Sequence, residues 1–175
     1  MRLKLTAAAF TIFANLAACS GTGPTSPYAG EQSPAIKALS AKEVDDLRAG
    51  AGMGYAKAAE LNGYPGPMHV LELSSRLGLS AGQQAAVEKI LREHKAEARA
   101  LGSDVVSLEQ QLDAAFAREG ATAAEVDGLT RSVADAAGRL RASHLKAHIE
   151  TARVLTREQV ASYVVLRGYS AHRGH

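Results

Sequence analysis

From residue 80 to residue 118, apolar or small side chains recur in alternating steps of four and three. They are Val87, Leu91, Ala98, Leu101, Val105, Leu108, Leu112 and Ala115, with His94 in the one gap. That period is the seam of a coiled-coil-like helix. At 1.5 Å per residue it predicts a helix roughly 58 Å long. Glu119-Gly120 ends the pattern, and Gly120 suits a left-handed cap. A second stripe, Val126, Leu129, Val133, Ala136 and Leu140, predicts a helix over residues 122–154. The connection between them is short, so the two helices are expected to pack as an antiparallel hairpin. Shorter helices are predicted over residues 41–61, weakened by Gly50, Gly52 and Gly54; over 67–77, opened by Pro67; and over 156–166. Asn62-Gly63-Tyr64-Pro65-Gly66-Pro67 reads as a turn. The fold class is therefore all-α: a long hairpin with shorter flanking helices.

Three helix starts share one device. Ser80 with Gln83, Thr122 with Glu125 and Thr156 with Gln159 have the spacing of a capping box. In each, the hydroxyl accepts from a backbone N–H three residues on, and the longer side chain reaches back. Leu155 stands where a hydrophobic staple to Val160 is expected. Gly102 and Gly138 lie 18 residues on either side of Gly120. Facing each other, they would permit close backbone approach or a shared bend, and coincidence is the alternative.

The N-terminus carries a different signal. Arg2 and Lys4 precede an uncharged, mostly apolar stretch over residues 5–18 that is too short to span a bilayer. It ends in Leu16-Ala17-Ala18-Cys19, a pattern that looks like a lipobox. The expectation is a lipoprotein signal peptide, with Cys19 lipidated and anchoring the chain to a membrane facing the periplasm. An ordinary secretory signal with a chance cysteine is the alternative. Ser20 follows the cysteine, and the absence of Asp there favours the outer membrane in a cell with two. Residues 20–40 hold Pro24, Pro27 and Pro34 among Ser, Thr and Gly, and read as a flexible linker. The helical domain is expected over residues 41–168, with a loose tail over 169–175.

Cys19 is the only cysteine, so no internal disulfide is available. Two of the 20 lysine and arginine residues precede Cys19, whereas all 18 acidic residues follow it. The remainder is formally neutral and lacks the basic footprint of a nucleic-acid binder. Aromatics are only 5% and Trp is absent, which favours slim, alanine-rich helices over a sandwich or barrel.

Two of the caps sit in a larger pattern. Leu79-Ser80-Ala81-Gly82-Gln83 and Leu155-Thr156-Arg157-Glu158-Gln159 resemble the paired Leu-Thr-x-x-Gln motifs of the Spy/CpxP family of periplasmic proteins. The first has Ser for Thr, which keeps the cap. The turn over residues 62–67 and the following His69-Val70-Leu71-Glu72-Leu73 are similar to periplasmic metal-sensor members. The resemblance covers roughly residues 50–170. It implies a hairpin whose two copies pair into a thin, curved cradle. It further implies either a chaperone that holds unfolded clients or a sensor that binds metal and signals to a membrane partner. The chain departs from soluble, basic chaperone members in its neutrality and its lipobox.

Histidines are the candidates for metal chemistry. His144 and His148 lie four apart and share a helix face. If the hairpin turns near Gly120, His94 lies level with position 146, between them. Three imidazoles would suit zinc, copper, nickel or cobalt, with Glu93 and Glu97 close in sequence. The plainer alternative is a polar layer at His94 and solvated side chains at His144 and His148. His69 is a further candidate without a fixed position, and His172 and His175 form a weak candidate in the tail. Leu145 stands where a metalloprotease helix would place Glu, and neither a hydrolase triad nor a phosphate loop is legible. An enzyme is not expected.

These readings predict a periplasm-facing lipoprotein of envelope stress or heavy-metal response, dimeric through its long helices, binding a transition metal or no cofactor. The alternatives are an ATP-independent chaperone and a passive adaptor between envelope proteins.

Overall fold

The computed structural model describes residues 25–169. Cys19, His172 and His175, with the whole signal segment, lie outside the described residues. The chain divides into two units at residues 32 and 33. Of the first, residues 25–32 are described and form turns, with the Ala29 N–H donating to the Ser26 carbonyl. Residues from Ser33 onward form the second unit.

That unit is all-helical among the described residues. Its elements are α1 (Ala41–Ala49), α2 (Lys57–Leu61), α3 (Pro67–Glu72), α4 (Ser74–Leu77), α5 (Ala81–Ala117), α6 (Ala123–Val154) and α7 (Arg157–Leu166). α5 and α6 pack along each other as the predicted hairpin, and α1 lies against α5. Among the described residues, no helix is long and apolar enough to cross a membrane.

The packed chain begins earlier than the expected linker boundary at residue 40. Ile36 is buried in the core and Leu39 packs against it, while Lys37 pairs with Asp113 of α5 at 3.0 Å. An apolar residue inside a Pro-rich stretch was enough to pin the chain two to five residues ahead of α1.

Two apolar clusters hold the unit together. One gathers Ile36 and Leu47 with Ala98, Leu101, Val105 and Val106 of α5 and Ala136 and Leu140 of α6. The other gathers Val70, Leu77, Val87, Leu155 and Tyr163. On α5 the interval between Val87 and Ala98 contains His94; on α6 the interval between Leu140 and Leu155 contains His144 and His148. The histidines thus occupy the stretch of hairpin between two dry cores.

The predicted helix over residues 41–61 is two helices. Gly50, Met53 and Gly54 all adopt positive φ (62°, 43° and 77°), which turns the chain out of α1 before α2 begins. The helix over 67–77 is interrupted at Leu73, whose side chain packs on the second cluster. At the end of α5 the left-handed residue is Glu119, with φ 56°, and not Gly120.

Gly102 does have a close backbone partner, but it is α1. A Cβ on Gly102 would overlap the Leu47 carbonyl, whereas a Cβ on Gly138 would meet nothing within 4 Å. Gly102 therefore lets the last turn of α1 lie directly on α5. The symmetric pairing of the two glycines does not occur.

The capping boxes form as predicted at Ser80 and Thr156, and a third forms at Ser40 with Glu43. Thr122 accepts from the Glu125 N–H, but the Glu125 carboxylate turns away to Arg118 at 2.6 Å, so that box is half made. Leu155 and Val160 meet in the second cluster, as a staple requires.

The two glutamines of the paired motifs do more than cap. The Gln83 amide donates to Gln159 Oε1 at 2.7 Å, and the Gln159 amide donates back to Gln83 Oε1 at 3.1 Å. Each also reaches a helix end: Gln83 donates to the Val154 carbonyl at 3.0 Å and Gln159 to the Leu77 carbonyl at 3.3 Å. The motifs thereby tie the starts of α5 and α7 to the ends of α4 and α6. Replacing either glutamine by alanine is expected to cost about 2 kcal/mol, because partly buried acceptors lose their donors. The double replacement should cost less than the sum by about 1 kcal/mol. Urea unfolding of both single variants and the double variant measures that coupling.

Candidate functional site

α5 and α6 bring His94 and His144 into edge-to-face contact, with ring centroids 4.5 Å apart and planes at 73°. His94 Nδ1 lies 3.1 Å from the Ser143 hydroxyl. The hairpin register thus sets His94 opposite residues 143 and 144, two to three short of the position expected from a turn at Gly120. The turn is made over Arg118–Thr122 with Glu119 left-handed, which shifts the pairing. Tyr55, between α1 and α2, packs its ring 5.5 Å from His144.

His144 is 4% exposed, and its Nε2 is buried without a hydrogen-bond partner. Burial, reinforced by the neighbouring His94, His148 and Lys95, pushes its pKa down to about 4. His94 is lowered in the same direction, again first by burial and then by Lys95. Both rings are therefore neutral near pH 7, each with one ring-nitrogen lone pair.

His148 follows one turn along α6. Its Nδ1 stands 2.8 Å from the Tyr64 carbonyl; a carbonyl only accepts, so Nδ1 carries a proton, and in the neutral ring the lone pair is on Nε2. A carbonyl fixing one ring nitrogen while the other stays free is the arrangement that orients metal-binding imidazoles. Gly66 makes room for this ring: a Cβ there would lie 2.9 Å from His148 Cε1 and 3.1 Å from Nε2.

Behind His148 sits Glu60 of α2. Its Oε1 accepts from the hydroxyls of Tyr163 at 2.6 Å and Tyr169 at 3.0 Å, and from Arg167 Nε at 3.3 Å. Its Oε2 is buried, lacks a hydrogen bond and lies 3.6 Å from His148 Nδ1. Tyr163 is wholly buried, and burial together with the Glu60 carboxylate raises its pKa far above the usual range. Glu60 thus couples α2 to α7 immediately beside the imidazoles.

His94, His144 and His148 line one cavity of about 280 Å³ between α2, α3 and the hairpin. His69 of α3 lines it too, with Nδ1 at 2.9 Å from Glu72. Glu93 is engaged by Lys89 at 2.6 Å. Among the described residues, no three His, Cys, Asp or Glu side chains are arranged as a ready ligand cage. The structure therefore gathers the predicted imidazoles at one cavity without converging them on a point. Glu60, Tyr55, Tyr163, Met53 and Met68 were not singled out by sequence. The rarity of methionine, three in the chain, was the available signal for the last two.

A long helical hairpin with shorter flanking helices and a histidine-lined cavity defines the class: a small all-helical protein. The family model described as heavy-metal resistance matches residues 3–162, and the chain belongs to that family. No curated protein and no solved structure matches the chain.

Proposed function

We propose that this chain is a periplasm-facing lipoprotein of heavy-metal response that binds a transition-metal ion in the cavity at the waist of its hairpin. His94, His144 and His148 would supply the ligands. The carrying observation is the unpartnered, buried Nε2 of His144, beside His94 and one turn from His148, whose Nδ1 donates to the Tyr64 carbonyl. A buried imidazole nitrogen without a partner is costly unless something occupies it in another state. The donor set fits such an ion chemically: neutral imidazoles suit zinc, copper, nickel and cobalt. Membership of the heavy-metal resistance family supports the same reading. Side-chain rotation would close the ligands on the ion, as expected where binding completes a site. The role is binding and not catalysis. Lipidation at Cys19, an outer-membrane location, pairing into a dimer through the long helices and relay to a membrane partner belong to the same proposal.

Calorimetric titration of the chain with zinc, copper, nickel and cobalt tests it, with the His144→Ala/His148→Ala variant alongside. Micromolar or tighter binding (about −8 kcal/mol) that disappears in the variant is the expected outcome. Intact binding in the variant would overturn the cavity site. Absence of binding together with suppressed client aggregation would favour a chaperone, and a specific crosslinked envelope partner with neither property would favour an adaptor.

A further inference from the structure

Every described histidine, His69, His94, His144 and His148, lines the cavity. So do Met53 and Met68, the only methionines after the initiator. Neither thioether is placed as core filler: Met53 is 38% exposed and Met68 46% exposed, both at the cavity wall. Met53 also sits where the backbone favours glycine. Its φ is 43°, between Gly52 and Gly54, a conformation that is uncommon and costly for a bulky side chain. Core packing alone does not account for a methionine held there, because the residue stays more than one-third exposed.

The charges around the cavity point the same way. Lys57, Lys95 and Arg167 line it against a single carboxylate, Glu60, whose Oε1 is already taken by Tyr163, Tyr169 and Arg167. Coulomb repulsion by that rim on a dication is double that on a monocation. Divalent borderline ions in closed sites ordinarily take four nitrogen, thiolate or carboxylate donors, and the described residues hold no such cage. A soft monocation needs fewer donors and accepts neutral ones, and thioethers select for it.

We propose that the cavity takes a soft d10 monocation, reduced copper or silver, through the thioethers of Met53 and Met68 together with the imidazoles of the hairpin. This rests on reading the cavity as a metal site and names the class of ion. Met53 holds the wall between α1 and α2, and Met68 the first turn of α3, so the ion would bridge the flanking helices to the hairpin.

The test compares the full chain with the Met53→Leu/Met68→Leu variant and the His144→Ala/His148→Ala variant. Leucine keeps the bulk of these exposed side chains, so folding is preserved. Reduced copper is measured by competition with a chromophoric copper(I) chelator, zinc by calorimetry, and sulfur ligation by X-ray absorption at the copper edge. The proposal expects the methionine variant to bind copper(I) about tenfold or more weaker, to lose sulfur scattering relative to the parent chain and to keep any zinc binding. Unchanged copper(I) affinity and sulfur scattering in that variant would overturn it. If the histidine variant then still abolished zinc binding, the cavity would remain a metal site for a borderline divalent ion. Metal binding unaffected by either variant would overturn both readings.

Discussion

Replacing Glu60 by alanine is expected to lower the unfolding free energy by about 3 kcal/mol, although α2 is a five-residue helix without a fully buried side chain. The size follows from what is left behind. Tyr163 is wholly buried and would keep only the weak Gly66 N–H contact at 3.4 Å, which uses its oxygen and leaves its proton without an acceptor. Arg167 and Tyr169 would lose the same acceptor. Glu60→Gln retains an acceptor oxygen and should lose about half as much. Urea unfolding of the three chains measures this. A loss within about 0.5 kcal/mol for Glu60→Ala, the range of an ordinary surface change, would contradict the role assigned to the hub.

The second large effect is expected in acid. His144 has its folded pKa pushed down to about 4 from the ordinary 6.5, first by burial and then by His94, His148 and Lys95. The unfolded chain takes up a proton as pH falls through 6.5, while the folded chain does not until about 4. Stability is therefore fully present above pH 6.5 and falls as pH drops through that window, by about 3 kcal/mol from this group. His94 is shifted the same way and adds to the slope. Glu43 and Asp113 have lowered pKa values, so their stabilisation is lost only at lower pH, below the usual carboxylate range. The window between pH 6.5 and 4.5 is thus diagnostic for the buried imidazoles. Urea midpoints across it should fall steeply in the parent chain and less steeply in His144→Gln. Equal slopes would mean that His144 is solvated in the folded state.

The sequence displayed the hairpin because its cause is local and repeated: a four-three stripe interrupted only by His94, a cap at Ser80, a cap at Thr156 and no proline between. Those ends agree with the structure to within a residue or two. Departures arise where one residue decides. Gly50, Met53 and Gly54 could each have been tolerated within a helix, and only their left-handed backbone, used together, breaks α1 from α2. The turn at Glu119 moved the hairpin register by two to three residues, enough to set His94 against Ser143 and His144 instead of midway between His144 and His148. The Glu60 hub had no sequence signature, since a glutamate on a short helix looks solvated until Tyr163, Arg167 and Tyr169 arrive from more than 100 residues away. The imidazoles of the site were legible; the methionines were not, since two isolated thioethers 15 residues apart form no motif.

The central claim is that the imidazoles of the hairpin cavity hold the metal. The most direct measurement is nitrogen-detected NMR of the histidine side chains of the full chain during titration with zinc and, separately, silver, both of which are diamagnetic. The ring nitrogens of His94, His144 and His148 are expected to shift together and saturate at one ion per chain. Shifts confined to His172 and His175, with the three cavity rings unmoved, would contradict it.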